Sequence, residues 1–236
     1  QQALPADAEQ QDMDEAAYFD FVKNGAADAE SFDQEYQCLP ADDDSKFLEY
    51  ELITACEYSG GTVWQRGLEG PFQGRLFCGV DIGRKKDLTV LWVVEKLGDV
   101  LYTRHVETME KMRKSAQEAI LWPWFALCDR ICIDSTGLGI GWVDDAQDKF
   151  GEARVEGVNF TGQVKEALAY PLKGAMEDRM VRIPDDALIR ADLRKVQKTT
   201  TAAGNIRFVA ESDTAGHADR FWALALALHA SESATP

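Results

Sequence analysis

Three β-like runs in quick succession constrain the fold more than any other feature of this sequence. They span residues 76–82, 88–96 and 100–108, and Leu97-Gly98-Asp99 supplies a turn signal between the last two. Such short connections predict an antiparallel meander, because a parallel pair needs a crossover of a dozen or more residues. From residue 113 onward helix-like and strand-like segments alternate, so we expect an α/β fold.

The alternating part predicts four helices, three strands and a hairpin. The helices span residues 113–128, 138–149, 163–179 and 217–230, and the strands span 130–134, 154–160 and 180–183. Pro123 is expected to kink the first helix or to end its first part. Residues 196–210 predict an inserted β-hairpin that turns at Gly204-Asn205. The last helix is apolar nearly all round, so we expect it to be buried against the sheet.

The net charge of -16 is distributed unevenly along the chain. Residues 1–70 contain 17 acidic and 3 basic residues, whereas the rest contains 24 and 22. A run of glycines ending near Pro71 and Gly74 favours a domain boundary near residue 72. We therefore predict an acidic arm and linker over residues 1–71 and a folded domain over 72–236. That domain is near neutral, so the charge of the whole chain does not exclude a polyanionic partner.

The five cysteines form no CxxC pair, which predicts buried thiols in a reducing compartment. A zinc site on Cys128 and Cys132 would need two further ligands, and His105, His217 and His229 offer no paired spacing. We therefore expect any bound metal to be held by oxygen. The sequence lacks a secretory signal and a membrane-spanning apolar run, so a soluble protein that is not secreted is expected.

Asp81 and Asp134 each end an apolar strand, and Asp219 lies in the first turn of the apolar last helix. An ionised carboxylate near a core needs a raised pKa, a basic neighbour or a cation. Taken singly, each has a simple structural interpretation, as a turn cap or as a charge at a helix N-terminus. Their joint placement favours a phosphoryl-transfer site, in which two divalent cations relieve the repulsion between clustered carboxylates and activate water.

The sequence around these aspartates resembles three nuclease motifs of the large terminase subunits of tailed phages. Phe77-Cys78-Gly79-Val80-Asp81-Ile82-Gly83, followed by Asp87-Leu88-Thr89-Val90, is similar to the first motif. Ile133-Asp134-Ser135-Thr136-Gly137-Leu138-Gly139 resembles the second, and His217-Ala218-Asp219-Arg220-Phe221-Trp222-Ala223-Leu224-Ala225 resembles the third. The resemblance covers about residues 72–231 in the right order. The Mu-like branch of the family is an open alternative within it.

This resemblance implies an RNase H-like mixed sheet with helices on both faces and an endonuclease that cuts viral DNA during packaging. It implies catalytic and metal-binding roles for Asp81, Asp134 and Asp219, with two Mg²⁺ or Mn²⁺ ions as cofactors. The implied partners are double-stranded DNA, an ATPase motor domain in the full-length protein, the portal and the small terminase subunit, and no membrane. The implied location is the host cytoplasm. The GxxxxGK[ST] phosphate loop of the motor is absent from these 236 residues, so residues 1–71 would hold at most a remnant of it.

Further residues are candidates for supporting roles near the site. The basic run Arg84-Lys85-Lys86 directly follows the first motif, and it and Lys165 are expected to contact DNA phosphates, although solvated turns and helix faces also favour such residues. Asp213 is a rival for the third metal-ligand position. Asp87 and His217 are expected beside the ligands. Asp87 is an accessory acid near the metals or pairs with the basic run, and His217 positions water or packs.

Three other functions remain open at this level. A resolvase or transposase of the same fold would use the same acids on structured or specific DNA. An actin-like sugar kinase or ATPase would use Val80-Asp81-Ile82-Gly83 as a phosphate loop, but needs two related halves and a longer chain. A docking module of the packaging motor would have this fold but no catalytic activity.

Overall fold

The computed structural model of the protein describes residues 46–59, 62–83, 88–200, 206–210 and 218–233. Its central sheet has the strand order β5-β4-β1-β2-β3-β6 in this part of the chain. Strands β1, β2 and β3 form an antiparallel meander, and β4, β5 and β6 are added in parallel at its edges. The strands are β1 (Arg75–Asp81), β2 (Thr89–Leu97), β3 (Val100–Met109), β4 (Arg130–Asp134), β5 (Val155–Val158) and β6 (Val181–Arg182).

Helices cover both faces of this sheet, because apolar side chains alternate on the central strands. In β2, Val90, Trp92 and Val94 pack on one face, while Leu91 and Val93 pack on the other. Helices α4, α5 and α6 cover the first face, and α2 and α3 cover the second. The helices are α1 (Tyr50–Thr54), α2 (Lys114–Leu127), α3 (Ile140–Phe150), α4 (Gly162–Glu177), α5 (Ala187–Arg194) and α6 (Asp219–Ser233). The predicted mixed α/β architecture is confirmed.

Helix α6 packs unusually close to β1. A Cβ atom built on Gly79 would lie 2.1 Å from the backbone oxygen of Ala223 and 2.4 Å from the backbone nitrogen of Ala227. Only glycine permits this approach of strand and helix. Since α6 begins at Asp219 and β1 ends at Asp81, this contact sets the spacing between two elements that carry candidate ligands.

The predicted hairpin is present as a separate two-stranded sheet. Strands β7 (Val196–Thr200) and β8 (Ile206–Ala210) pair antiparallel, with Val196 opposite Ala210 and Thr200 opposite Ile206. The predicted turn at Gly204-Asn205 lies outside the described residues. Phe208 packs on the first face of the main sheet, which fixes the hairpin to the domain.

Part of the segment before residue 72 also enters this core. Phe47, Leu48, Ile53 and Cys56 are buried with α4 and α6, and the Phe47 ring lies edge-on to Phe208 at a centroid distance of 4.9 Å. The domain boundary near residue 72 stays a prediction, but the core includes apolar side chains from both sides of it. Of the helices that are described, none combines the length and apolar character needed to cross a bilayer.

Candidate metal centre

The sheet topology brings Asp81 and Asp134 to the same edge. Asp81 is the last residue of β1 and Asp134 the last of β4, and these strands are parallel neighbours in which Val80 lies opposite Ile133. The next residue of each strand is therefore an aspartate at the carboxyl end of the sheet. Asp219 is the first residue of α6, which packs across β1. All three are buried, with 8, 7 and 6% of their surface exposed.

The electrostatics of Asp81 reflect both its burial and the charges of the other two aspartates. Burial raises the pKa of Asp81 well above its ordinary value, and the charges of Asp219 and Asp134 raise it further. Lys165 acts in the opposite direction and lowers this pKa. A cation would relieve the repulsion between such buried acids, and carboxylate oxygens suit hard divalent ions, so the three aspartates are candidate metal ligands.

Asp134 is held by a tight turn after β4. One of its carboxylate oxygens, Oδ1, accepts a hydrogen bond of 2.8 Å from the backbone N–H of Thr136. The Thr136 hydroxyl in turn accepts from the backbone N–H of Phe160 at 3.0 Å. A Cβ atom on Gly139 would lie 1.8 Å from the carbonyl oxygen of Asp134, so the chain needs glycine to pass this point. The turn-capping role considered for Asp134 from the sequence is thus present, and the same bond orients its carboxylate.

The start of α6 is fixed by Asp192, a residue that the sequence analysis did not single out. Asp192 is buried in α5, and its Oδ2 accepts a hydrogen bond of 2.8 Å from the backbone N–H of Arg220. Its Oδ1 is paired with the Lys195 ammonium at 3.0 Å. Asp192 therefore holds the helix turn in which Asp219 lies. It also adds to the negative field that raises the pKa of Asp81.

Lys165 is partly buried against two aromatic side chains near the acidic cluster. Its Nζ is 4.6 Å from the centre of the Trp222 ring and 5.5 Å from that of Phe160. Burial lowers the pKa of Lys165, whereas the charges of Asp81, Asp134 and Asp219 raise it and that of Arg207 lowers it. The lysine is thus held by two aromatic rings beside the acidic cluster, where its charge acts on the cluster directly.

Six other predicted site residues lie outside the described residues, namely Arg84, Lys85, Lys86, Asp87, Asp213 and His217. Their predicted roles in DNA binding, metal binding and support of the ligands stay predictions. Besides Asp192, the residues that sequence reasoning missed are Thr136, Phe160 and Trp222. Trp222 follows Asp219 by three residues, and this helical spacing is the one signal that could have placed it near the site.

The sequence that forms this site matches a known protein family. The terminase RNaseH-like domain family matches residues 78–231, well over half of the chain. The chain belongs to this family. The resemblance of its three motifs to large terminase nuclease domains is therefore confirmed, while the Mu-like branch stays a prediction. No curated protein sequence matches the chain.

Solved terminase nuclease structures have a similar fold. The large terminase nuclease from thermophilic phage G20c with bound magnesium is 23% identical, with a TM-score of 0.63 over 80% of this chain and 98% of that one. The Thermus phage P74-26 large terminase nuclease domain is 22% identical, with a TM-score of 0.59 over 75% of this chain and 92% of that one. A mutant nuclease domain of the large terminase subunit of bacterial virus Sf6 with manganese is 15% identical, with a TM-score of 0.52 over 78% and 98%. The RNase H-like fold is thereby confirmed for this chain.

Proposed function

We propose that this domain is the divalent-metal-dependent endonuclease of a phage DNA-packaging terminase. The observation that carries the proposal is the convergence of Asp81, Asp134 and Asp219, all buried, at one edge of an RNase H-like sheet. Membership of the terminase RNaseH-like domain family supports it, as do the magnesium and manganese named for the similar G20c and Sf6 structures. The substrate is viral duplex DNA.

The three aspartates have distinct positions in this proposal. Asp81 ends the central strand β1 and is repelled by the charges of both Asp134 and Asp219, so it would be the ligand shared by two ions. Asp134 and Asp219 would each hold one of these ions. When bound, two Mg²⁺ or Mn²⁺ ions activate water and neutralise charge on the attacking and leaving oxygens of the phosphodiester. The burial of all three carboxyls and their mutual repulsion fit such a pair of cations.

Other residues of the chain position the DNA and the ligands. Asp192 and Gly79 fix the helix that presents Asp219, and Thr136 orients Asp134. The ammonium of Lys165, held over Trp222, is placed to contact a phosphate oxygen beside the metals. The basic run is proposed to extend this contact along the DNA backbone. In the full-length protein we propose an ATPase motor domain, the portal and the small terminase subunit as partners, in the host cytoplasm.

Cleavage of linear duplex DNA by the purified protein tests this proposal. We expect cutting with little sequence preference in Mn²⁺, slower cutting in Mg²⁺, and no requirement for ATP. Asp81→Asn, Asp134→Asn and Asp219→Asn should each lower the rate about 100-fold or more, because each removes a charge that the cations need. Asp178→Asn, at an exposed position after α4, is the matched control and should cut as the wild type does.

Three results would contradict the proposal. Wild-type rates in any of the three aspartate variants would remove that residue from the ligand set. Strong preference for four-way junctions over linear duplex would indicate a resolvase instead. A protein that binds DNA but does not cut it in either metal would favour the docking module.

A further inference from the structure

A second group of metal-ligating side chains lies on the same face of the sheet as α6. The sulfur of Cys132, a carboxylate oxygen of Glu156 and an imidazole nitrogen of His229 all lie within 4.8 Å of one another. Cys132 is in β4, Glu156 lies directly opposite it in β5, and His229 is in the last part of α6. The group therefore joins the sheet edge to the helix that begins at Asp219.

This group is separate from the acidic cluster. His229 follows Asp219 by ten residues along α6, which corresponds to about 15 Å at 1.5 Å per residue. Cys132 precedes Asp134 by two residues, so both side chains are on the α6 side of β4. Helix α6 thus passes over both groups, with Asp219 at one end and His229 near the other.

The donor set suits zinc better than the ions proposed for the aspartates. Sulfur, imidazole nitrogen and carboxylate oxygen together are typical zinc ligands, whereas Mg²⁺ takes oxygen ligands. Tetrahedral zinc with bonds of about 2.0 to 2.3 Å separates its ligand atoms by roughly 3.3 to 3.6 Å. In the structure His229 Nε2 is 3.1 Å from Glu156 Oε1. Cys132 Sγ lies within 4.8 Å of an imidazole nitrogen of His229 and is 3.9 Å from Glu156 Oε2, the other oxygen of the same carboxylate. Small side-chain rotations would bring these atoms to the required spacing.

A metal ion bound here must share Glu156 with Arg130, because the guanidinium of Arg130 pairs with Glu156 Oε2. The same guanidinium donates from Nε to the Ser233 hydroxyl at 2.8 Å and from Nη1 to the Ala153 carbonyl at 3.1 Å. Carboxylates that bind metals are commonly hydrogen-bonded on their outer side, which fixes their orientation. Arg130 can fill this role while Glu156 Oε1, the oxygen near His229, binds the metal.

We propose that Cys132, Glu156 and His229 bind one zinc ion, with water as the fourth ligand. On binding, a sulfur–zinc bond forms and the proton of the Cys132 thiol is released to solvent. The ion links β4, β5 and α6 and so fixes the helix of Asp219 against the strand of Asp134. The alternative is an ion-pair network of Arg130, Glu156 and His229, which has no use for the Cys132 sulfur.

Cobalt substitution distinguishes the zinc site from the ion-pair network. Co²⁺ bound to a thiolate absorbs in the near ultraviolet, and Co²⁺ bound by carboxylates alone does not. Titration of metal-free wild-type protein with Co²⁺ should give this absorption at the intensity of one thiolate-bound ion per chain, and added Zn²⁺ should abolish it. Asp81→Asn should retain it, so that failure of the aspartate site is distinguishable from failure of this one. Cys132→Ser should abolish it, and Cys128→Ser, a substitution of another buried thiol, should leave it unchanged.

His229→Gln and Glu156→Gln give a second measurement at partly exposed positions. Each should weaken Co²⁺ binding at least 10-fold while the circular dichroism spectrum stays that of the wild type. Absence of the thiolate absorption in the wild type, or its persistence in Cys132→Ser, would overturn the proposal.

Discussion

Substitution of Gly79 by alanine tests how the fold positions the site. The added Cβ would lie 2.1 Å from the Ala223 backbone oxygen, 2.4 Å from the Ala227 backbone nitrogen and 2.6 Å from Leu226 Cβ. Two of these atoms belong to the helix backbone, so no side-chain rotation relieves the overlap. Helix α6 must move away from β1, and Asp219 moves with it.

The expected destabilisation follows from the cost of overpacking. Inserted methyl groups in packed cores typically cost about 1–3 kcal/mol, and backbone overlap places Gly79→Ala at about 3 kcal/mol. For a domain of this size, each kcal/mol lowers the melting temperature by about 2–4 °C, so a fall of roughly 6–12 °C is expected. A displacement of about 1 Å at Asp219 should also lower the cleavage rate about 100-fold in the protein that remains folded.

Gly174→Ala is the matched control, measured by the same thermal melts and cleavage assays. An added Cβ at Gly174 meets nothing within 4 Å, and the residue lies inside α4. Alanine is favoured over glycine there by about 0.8–1 kcal/mol, so this variant should melt slightly above the wild type. If Gly79→Ala melts as Gly174→Ala does, the close packing of β1 and α6 does not control stability and the reasoning is refuted.

Three further predictions concern charge in the site. The pKa of Asp81 is higher in the folded protein than in the unfolded chain. The stabilisation that Asp81 gives the folded state is therefore complete below the unfolded pKa of about 3.9 and is lost as pH rises through the folded pKa. In EDTA, Asp81→Asn should therefore melt above the wild type at about pH 8, with a gap that closes towards pH 4; an unchanged gap would contradict the repulsion. Lys165→Met should slow Mn²⁺-dependent cleavage about 10-fold or more through loss of the phosphate contact, whereas Lys149→Met on the exposed part of α3 should not. Replacing the basic run by three alanines should weaken DNA binding for all sequences alike and flatten its salt dependence, and an unchanged slope of log affinity against log salt would assign the run to solvent.

The strands were predictable because their hydrophobic pattern is local. β1 to β4 end within two residues of their predicted limits, and the two aspartates at strand ends required no tertiary information. Helix α5 was missed because it has only eight residues, although Asp186 caps it by accepting from Leu188 N and Ile189 N. Pro123 was expected to kink α2 or to end its first part; the second alternative is wrong, since one helix runs through Pro123 from Lys114 to Leu127, and the kink stays a prediction. Burial of Leu121, Trp124 and Phe125 offsets the lost backbone hydrogen bond.

The surroundings of the site depend on tertiary packing and were therefore harder to predict from the sequence. The expected contact of Lys165 with DNA stays a prediction. Its position over Trp222 and near the acids results from the packing of α4 on α6, which the sequence does not reveal. Cys132, Glu156 and His229 come from two strands and a helix that are far apart in sequence. No spacing pattern predicts such a group. The expectation of oxygen ligands rested on the spacing of Cys128 and Cys132 and on the lack of paired histidines, and spacing along the chain does not bring Glu156 and His229 to Cys132.

The central claim is that Asp81, Asp134 and Asp219 hold two divalent ions. Its most direct test is an anomalous difference map from a crystal of this domain soaked in Mn²⁺. The account predicts two peaks about 4 Å apart, with Asp81 contacting both and Asp134 and Asp219 contacting one each. The claim would be contradicted if no peak lay within bonding distance of Asp81 while the same wild-type protein cuts DNA in Mn²⁺.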